Sequence, residues 1–153
     1  MGALKHTRIW SSQKGAELVE FALAFPLLLL VCLGIIDMGL LLQQHEVLTN
    51  AAREGARVSV LPDYGAADVE ARVQQYLLGT GLTPATVTTT VGAPAPMAVA
   101  PGMCVTVVPV SVSYNHEYIF LGGIATYFGS SLGTKTLTAT ASMRSETAAA
   151  ACP

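Results

Sequence analysis

The sequence predicts an α+β fold in which one long N-terminal helix packs on a small antiparallel sheet of about three strands. Three observations predict it. An apolar run at residues 21–42, interrupted only by Asp37, passes straight into a stretch with helical periodicity that ends near Val60. Residues 86–91, 103–114 and 135–143 are rich in valine, threonine and alanine and alternate as strands do. A sheet that small needs a cover for its apolar face, and the second half of the long helix supplies one. The bulk numbers agree with one domain plus an appendage: 153 residues, 52% hydrophobic, 12% charged, formal charge −2. The chain is too short for a multi-span transporter and has no basic excess to recruit nucleic acid.

The run at 21–42 comes first. As a helix it would be about 33 Å long, against a hydrocarbon core of about 30 Å. Asp37 would sit near the far interface, where a carboxylate reaches water; a shorter span ending at Ile36 would place it outside altogether. Lys5, Arg8 and Lys14 precede the run with no acidic residue before Glu17. That basic flank should stay in the cytoplasm and everything after Leu42 should be translocated. A secretory signal would be shorter and followed closely by a small-residue cleavage site; here Gln43, Gln44, His45 and Glu46 follow. Pro26 removes the helical partner of the Ala22 carbonyl, so a kink or frayed turn is expected, either as a soft point or as a proline that a membrane helix tolerates.

Beyond the run, Leu48, Ala51, Ala52, Gly55 and Ser59 share one side of the helix, and the charged residues lie mostly elsewhere. The small residues allow close backbone approach. Gly55 inside a helix costs about 1 kcal/mol, which points to such an approach. Pro62 and Asp63 end the helix. Residues 66–78 predict a second helix with Ala66, Val69, Val73, Tyr76 and Leu77 on its apolar face. The segment at 93–101, rich in proline and alanine, reads as an extended surface loop. The strand at 103–114 changes phase, with Val105 and Val107 facing one way and Val108, Val110, Val112 and Tyr114 the other. Pro109 near the change suggests an edge or a bulge. Residues 118–128 are apolar without clear period, and read as a short helix closing the core or as a contact surface. In the strand at 135–143, Leu137, Ala139, Ala141 and Met143 face inward.

Catalytic and metal chemistry finds little support. Gly129, Ser131 and Gly133 fit a nucleophile-elbow pattern, but no histidine follows Ser131 and only a short tail remains. His6, His45 and His116 lack metal-ligand spacing and are expected to face solvent. Asp63, Asp68 and Glu70 lack the pattern of a calcium loop and suit turn and helix-start roles. No metal, cofactor or catalytic residue is expected. Cys32, Cys104 and Cys152 have neither zinc nor CxxC spacing. An oxidising compartment permits a bridge between Cys104 and Cys152, against the alternative of two free thiols. Cys32 is expected on the membrane face.

A plain anchor does not explain Glu20. A carboxylate at the centre of a membrane helix costs about 2.5–3.5 kcal/mol on insertion scales. If the chain were cut after Gly15, Ala16 would be the new N-terminus and Glu20 the fifth residue. The α-ammonium of one subunit would then offset Glu20 of a neighbour. Alternatively Glu20 lies in the inner headgroup region near Lys14.

Gly15-Ala-Glu-Leu-Val-Glu20-Phe21 resembles the prepilin-peptidase site of the Tad (tight adherence) branch of type IV pilins. The run from Glu20 to Leu30, then Gly34-Ile-Ile-Asp-Met-Gly39 and Leu48-Thr-Asn-Ala-Ala-Arg-Glu-Gly-Ala-Arg57, closely resembles the TadE-like family. The segment from Leu137 to Arg144 resembles its C-terminal strand. The likeness is strong over the first 60 residues and weak after them. Phe21 stands where the major Tad pilin has tyrosine, which implies a minor pilin or pseudopilin. The resemblance implies cleavage between Gly15 and Ala16 by the prepilin peptidase. The layout becomes a leader at 1–15, a transmembrane and assembly helix at 16–42, an exported helical continuation at 43–61 and a globular head at 62–153. Losing Lys5, Arg8 and Lys14 would leave a formal charge of −5. It further implies a non-enzymatic, pilin-like protein of the inner membrane, cytoplasmic at its N-terminus, with its head outside or in the pilus. Its partners would be other Tad pilins and pseudopilins, the inner-membrane assembly platform, the peptidase and membrane lipid. The competing class is a single-span membrane-anchored adhesin or binding module with its contact site at 118–128.

Overall fold

The computed structural model describes residues 13–130 and 134–145. Helix α1, Gln13–Ser59, is one unbroken helix of 47 residues and runs through Pro26 without a frayed turn. Its two halves differ in surroundings. The most apolar 18-residue window has a mean hydropathy of 2.6 and is nowhere buried. The upper half is the spine of the head. Asp63, at φ 68°, takes the left-handed conformation in the turn after α1. Helix α2, Ala66–Leu77, then folds back along α1. Its first turn is fixed by the Asp68 carboxylate, which accepts the Gly65 N–H at 2.8 Å. Val69, Val73 and Leu77 are buried and Tyr76 half-buried; Ala66, expected on the same face, is exposed.

The sheet has four strands: β1 Val87–Val91, β2 Ala95–Ala100, β3 Met103–His116 and β4 Lys135–Arg144. All pairings are antiparallel and all involve β3. β4 lines one side of β3 from Val107 to His116. On the other side β1 and β2 lie end to end, opposite residues 110–114 and 103–107 respectively. The sheet is therefore three strands wide, with one edge built from two pieces.

That arrangement corrects two expectations. The segment at 93–101 is not a free loop, because β2 continues the edge that β1 begins. Nor does β3 change phase: Thr106, Val108, Val110 and Val112 are all buried on one face, and the β3–β4 register is continuous across Pro109 and Ser142. Pro109 is accommodated because it stands opposite the break between β1 and β2, where no strand partner needs its missing N–H. Its carbonyl accepts the Gly92 N–H at 2.8 Å. A Cβ on Gly92 would come 2.7 Å from Pro109 Cγ, so the chain passes the proline only as glycine. The irregularity in register lies in β2 instead, between Ala98 and Ala100.

The core forms where α1, α2 and the sheet meet. Leu48, Ala51, Ala52 and Ala56 of α1 pack with Val69, Val73 and Leu77 of α2, Val110 and Val112 of β3, and Leu137 and Ala139 of β4. Ala141 and Met143 flank it half-buried. Helix α3, Phe120–Tyr127, stands apart from this core, with no buried side chain.

Candidate functional site

The functional surface follows α1 from bottom to top. Gly15 and Ala16 lie in its first turns, inside the helix. Residues 1–12, most of the expected leader, fall outside the described residues. Glu20 and Phe21 are exposed, and the Phe21 ring is 5.4 Å from that of Phe25. Leu23, Leu27, Leu28 and Val31 continue an outward apolar surface past Pro26, each at least half exposed. Cys32 is a free, exposed thiol on the same stretch. A helix of this length and hydropathy, with its most apolar window unburied, is long and apolar enough to cross a membrane once.

Asp37 breaks the apolar pattern, and the structure reverses what the sequence suggests for it. It is fully buried and does not reach water. The amide N–H groups of Ile119, Phe120 and Leu121 donate to its carboxylate. The shortest contacts are 3.0 Å from Phe120 and 2.7 Å from Leu121 to Oδ2, and 3.2 Å from Ile119 to Oδ1. These are the free amides that begin α3, where the helix dipole favours an anion. One turn below, Leu121 lies over Gly34, where a Cβ would make ordinary van der Waals contact with the leucine methyls at 3.9–4.0 Å.

Higher on α1, His116 is buried, at 1% exposure, against the expectation that it faces solvent. Its Nδ1 lies 2.6 Å from Gln44 Oε1 and its ring meets Tyr118 edge-on at 5.0 Å. Nε2 is enclosed with no hydrogen-bond partner. The residue is a packing group joining the end of β3 to α1. Sequence spacing gives no sign of this contact, because the partners are 72 positions apart.

Above that, Leu48, Ala51, Ala52 and Gly55 are buried against the head. A Cβ on Gly55 would lie 2.8 Å from Val73 Cγ2, 3.2 Å from Val110 Cγ1 and 3.3 Å from Val69 Cγ1. Glu54 on the neighbouring face takes an ion pair from Arg72 of α2 at 3.1 Å and a longer one from Arg57 at 3.8 Å. The small-residue face and its flanking charges thus belong to one joint between α1, α2 and β3. At the far end of β3, Cys104 is disulfide-bonded. Cys152 lies outside the described residues, as does Ser131. Among the described residues no cluster of three metal-ligating side chains occurs.

No curated protein and no solved structure matches the chain. The family model described as TadE-like protein matches residues 15–57. The match begins at Gly15, contains the anchor, Asp37 and the packing face, and lies wholly within α1. Residues 15–57 of the chain thus match the TadE-like family.

Proposed function

We propose that this chain is a minor pilin or pseudopilin of a Tad-type pilus, which supports assembly, initiation or the tip of the filament. The observation that carries the reading is the TadE-like segment, which starts at Gly15 and whose lower half is an apolar helix with its most apolar 18-residue window unburied. In this reading the prepilin peptidase cuts between Gly15 and Ala16, and the head faces away from the cytoplasm. Residues 21–42 anchor the precursor and later bundle with the helices of other Tad pilins and pseudopilins. Glu20 and Phe21 are exposed on that helix, as a residue that contacts neighbours must be. Glu20 pairs with the new α-ammonium of an adjacent subunit, which offsets the cost of a carboxylate at membrane depth. The mechanism is packing, with no chemical step of its own and no cofactor.

Mass spectrometry of the mature N-terminus tests this, using protein from native membranes of matched strains with and without the peptidase. The expected result is a chain starting at Ala16 only where the peptidase is present. An intact N-terminus in both strains would leave an anchored domain outside the pilin pathway.

A further inference from the structure

His116 and Lys135 are register partners, so the chain leaves the sheet after β3 and returns to the same place for β4. Between them it runs down the side of α1. His116 stands beside Gln44, whereas the first amides of α3 are bound to Asp37. Gln44 and Asp37 are seven residues apart, about 10 Å along the helix. The start of α3 is thus about 7.5 Å inside the Leu42 end of the apolar run. With the span taken to Leu42, it lies beside the anchor and not above it.

The composition and surface fit that depth. No residue from Tyr118 to Thr134 is charged. Ile119 is 64% exposed, Tyr127 87% and Phe128 76%, an apolar display at odds with a water-facing loop. A shallow groove of about 470 Å³ between the helices is lined by Val31, Gly34, Ile35, Met38, Tyr118 and Leu121. It joins the surface of α3 to the lipid-facing surface of α1. The Asp37 contact points the same way. It satisfies a carboxylate and three helix-start amides without water, which backbone groups at hydrocarbon depth require.

We propose that α3 and the Tyr127 and Phe128 rings lie in the head-side leaflet of the bilayer that α1 crosses, with Asp37 setting their depth. The proposal rests on α1 being a membrane anchor, and does not require that the chain enters a filament. Interfacial helices sit about 5–10 Å into the headgroup and acyl boundary, and aromatic rings favour that level. The head would then hold the membrane at two points, the anchor and α3.

Trp10 is the only tryptophan, so the W10F chain gives a dark background. Phe128→Trp in that full-length chain places a probe on the exposed aromatic pair, and Leu30→Trp in a separate chain places one in the anchor. Each is reconstituted into phosphatidylcholine vesicles carrying bromines either near the headgroup or near the acyl-chain ends. The expected result is that the Phe128 probe loses most of its emission to the shallow bromines, while the Leu30 probe loses most to the deep ones. A quenched Leu30 probe with an unquenched, red-emitting Phe128 probe would put α3 in water and overturn the proposal. A blue-emitting but unquenched Phe128 probe would place a second copy of the chain over α3, and would overturn it equally. If neither probe is quenched, the anchor reading itself fails.

Discussion

Asp37 puts a carboxyl group in a stretch where every neighbour is apolar, and another part of the chain brings donors to it. Three backbone amides from α3 meet one carboxylate. Hydrogen bonds to a charged group contribute about 1.5–3 kcal/mol, and a buried donor left without a partner costs about 1–3 kcal/mol. Asp37→Ala is therefore expected to weaken the docking of α3 by about 2 kcal/mol. That corresponds to roughly thirtyfold more opening. Amide exchange of Ile119, Phe120 and Leu121 in detergent-solubilised full-length protein checks this, with the β3 amides as a reference. Unchanged exchange at those three amides would mean that the carboxylate does not hold the helix. His116 shows the same principle: its role as a packing group follows from Gln44 and Tyr118, which the fold places beside it.

At the scale of elements, the joint between α1, α2 and β3 turns on the absence of a side chain at residue 55. Alanine is the better helix former by about 1 kcal/mol, so on a solvent-facing turn Gly55→Ala would stabilise. Here the added methyl would stand 2.8 Å from a Val73 methyl. Valine is stiff about its first torsion, so the contact is relieved only by moving α2. Overpacking of this kind costs about 1–3 kcal/mol, which outweighs the gain in helix propensity. Gly55→Ala is expected to lower the denaturation midpoint of the full chain in micelles, and to cost less in a Val73→Ala background, where the space is open. Strictly additive effects of the two substitutions would show that the methyl contact is not the cause. The ion pair between Glu54 and Arg72 lies on the rim of the same joint and is partly exposed, so it sets the position of α2 more than its strength. The divided edge of the sheet follows a similar logic. Gly92 and Pro109 fit together because one lacks a Cβ and the other lacks an N–H where no partner is needed.

For the whole molecule, the head hangs from α1 by contacts at several heights: Asp37 with α3, Gln44 with His116, and the face from Leu48 to Ala56 with α2 and the sheet. Cys104 stands at the opposite end of β3 from His116, far from the anchor. We expect its partner to be Cys152, which would tie the C-terminal tail to the membrane-distal end of the head. A bridge closing a loop of that length stabilises by about 4 kcal/mol in the chain-entropy model. Peptide mapping without reduction should yield one linked species containing both cysteines. Reduction should then lower the melting temperature without changing the depth of α3. A free thiol at Cys152 in the unreduced map would rule out the pairing.

The sequence by itself determined the long helix, its apolar lower half, the placing of α2, the strand at β1 and the inward face of β4. Each of these rests on short-range periodicity, and the apolar run needs no partner to declare itself. The resemblance to the TadE-like family was legible for the same reason, since residues 15–57 form one continuous helix. Tertiary structure decided the rest. The burial of Asp37 and His116 depends on groups more than 70 positions away. The strand at β2 and the unbroken phase of β3 depend on which neighbours each residue meets. Alternation of valines read along one strand suggested an edge or a bulge near Pro109, whereas β3 is paired on both sides, the sheet buries Thr106 and the β3–β4 register is kept. A polar side chain takes its role from the donors and acceptors folded against it, and those are set by long-range pairing that local pattern does not contain.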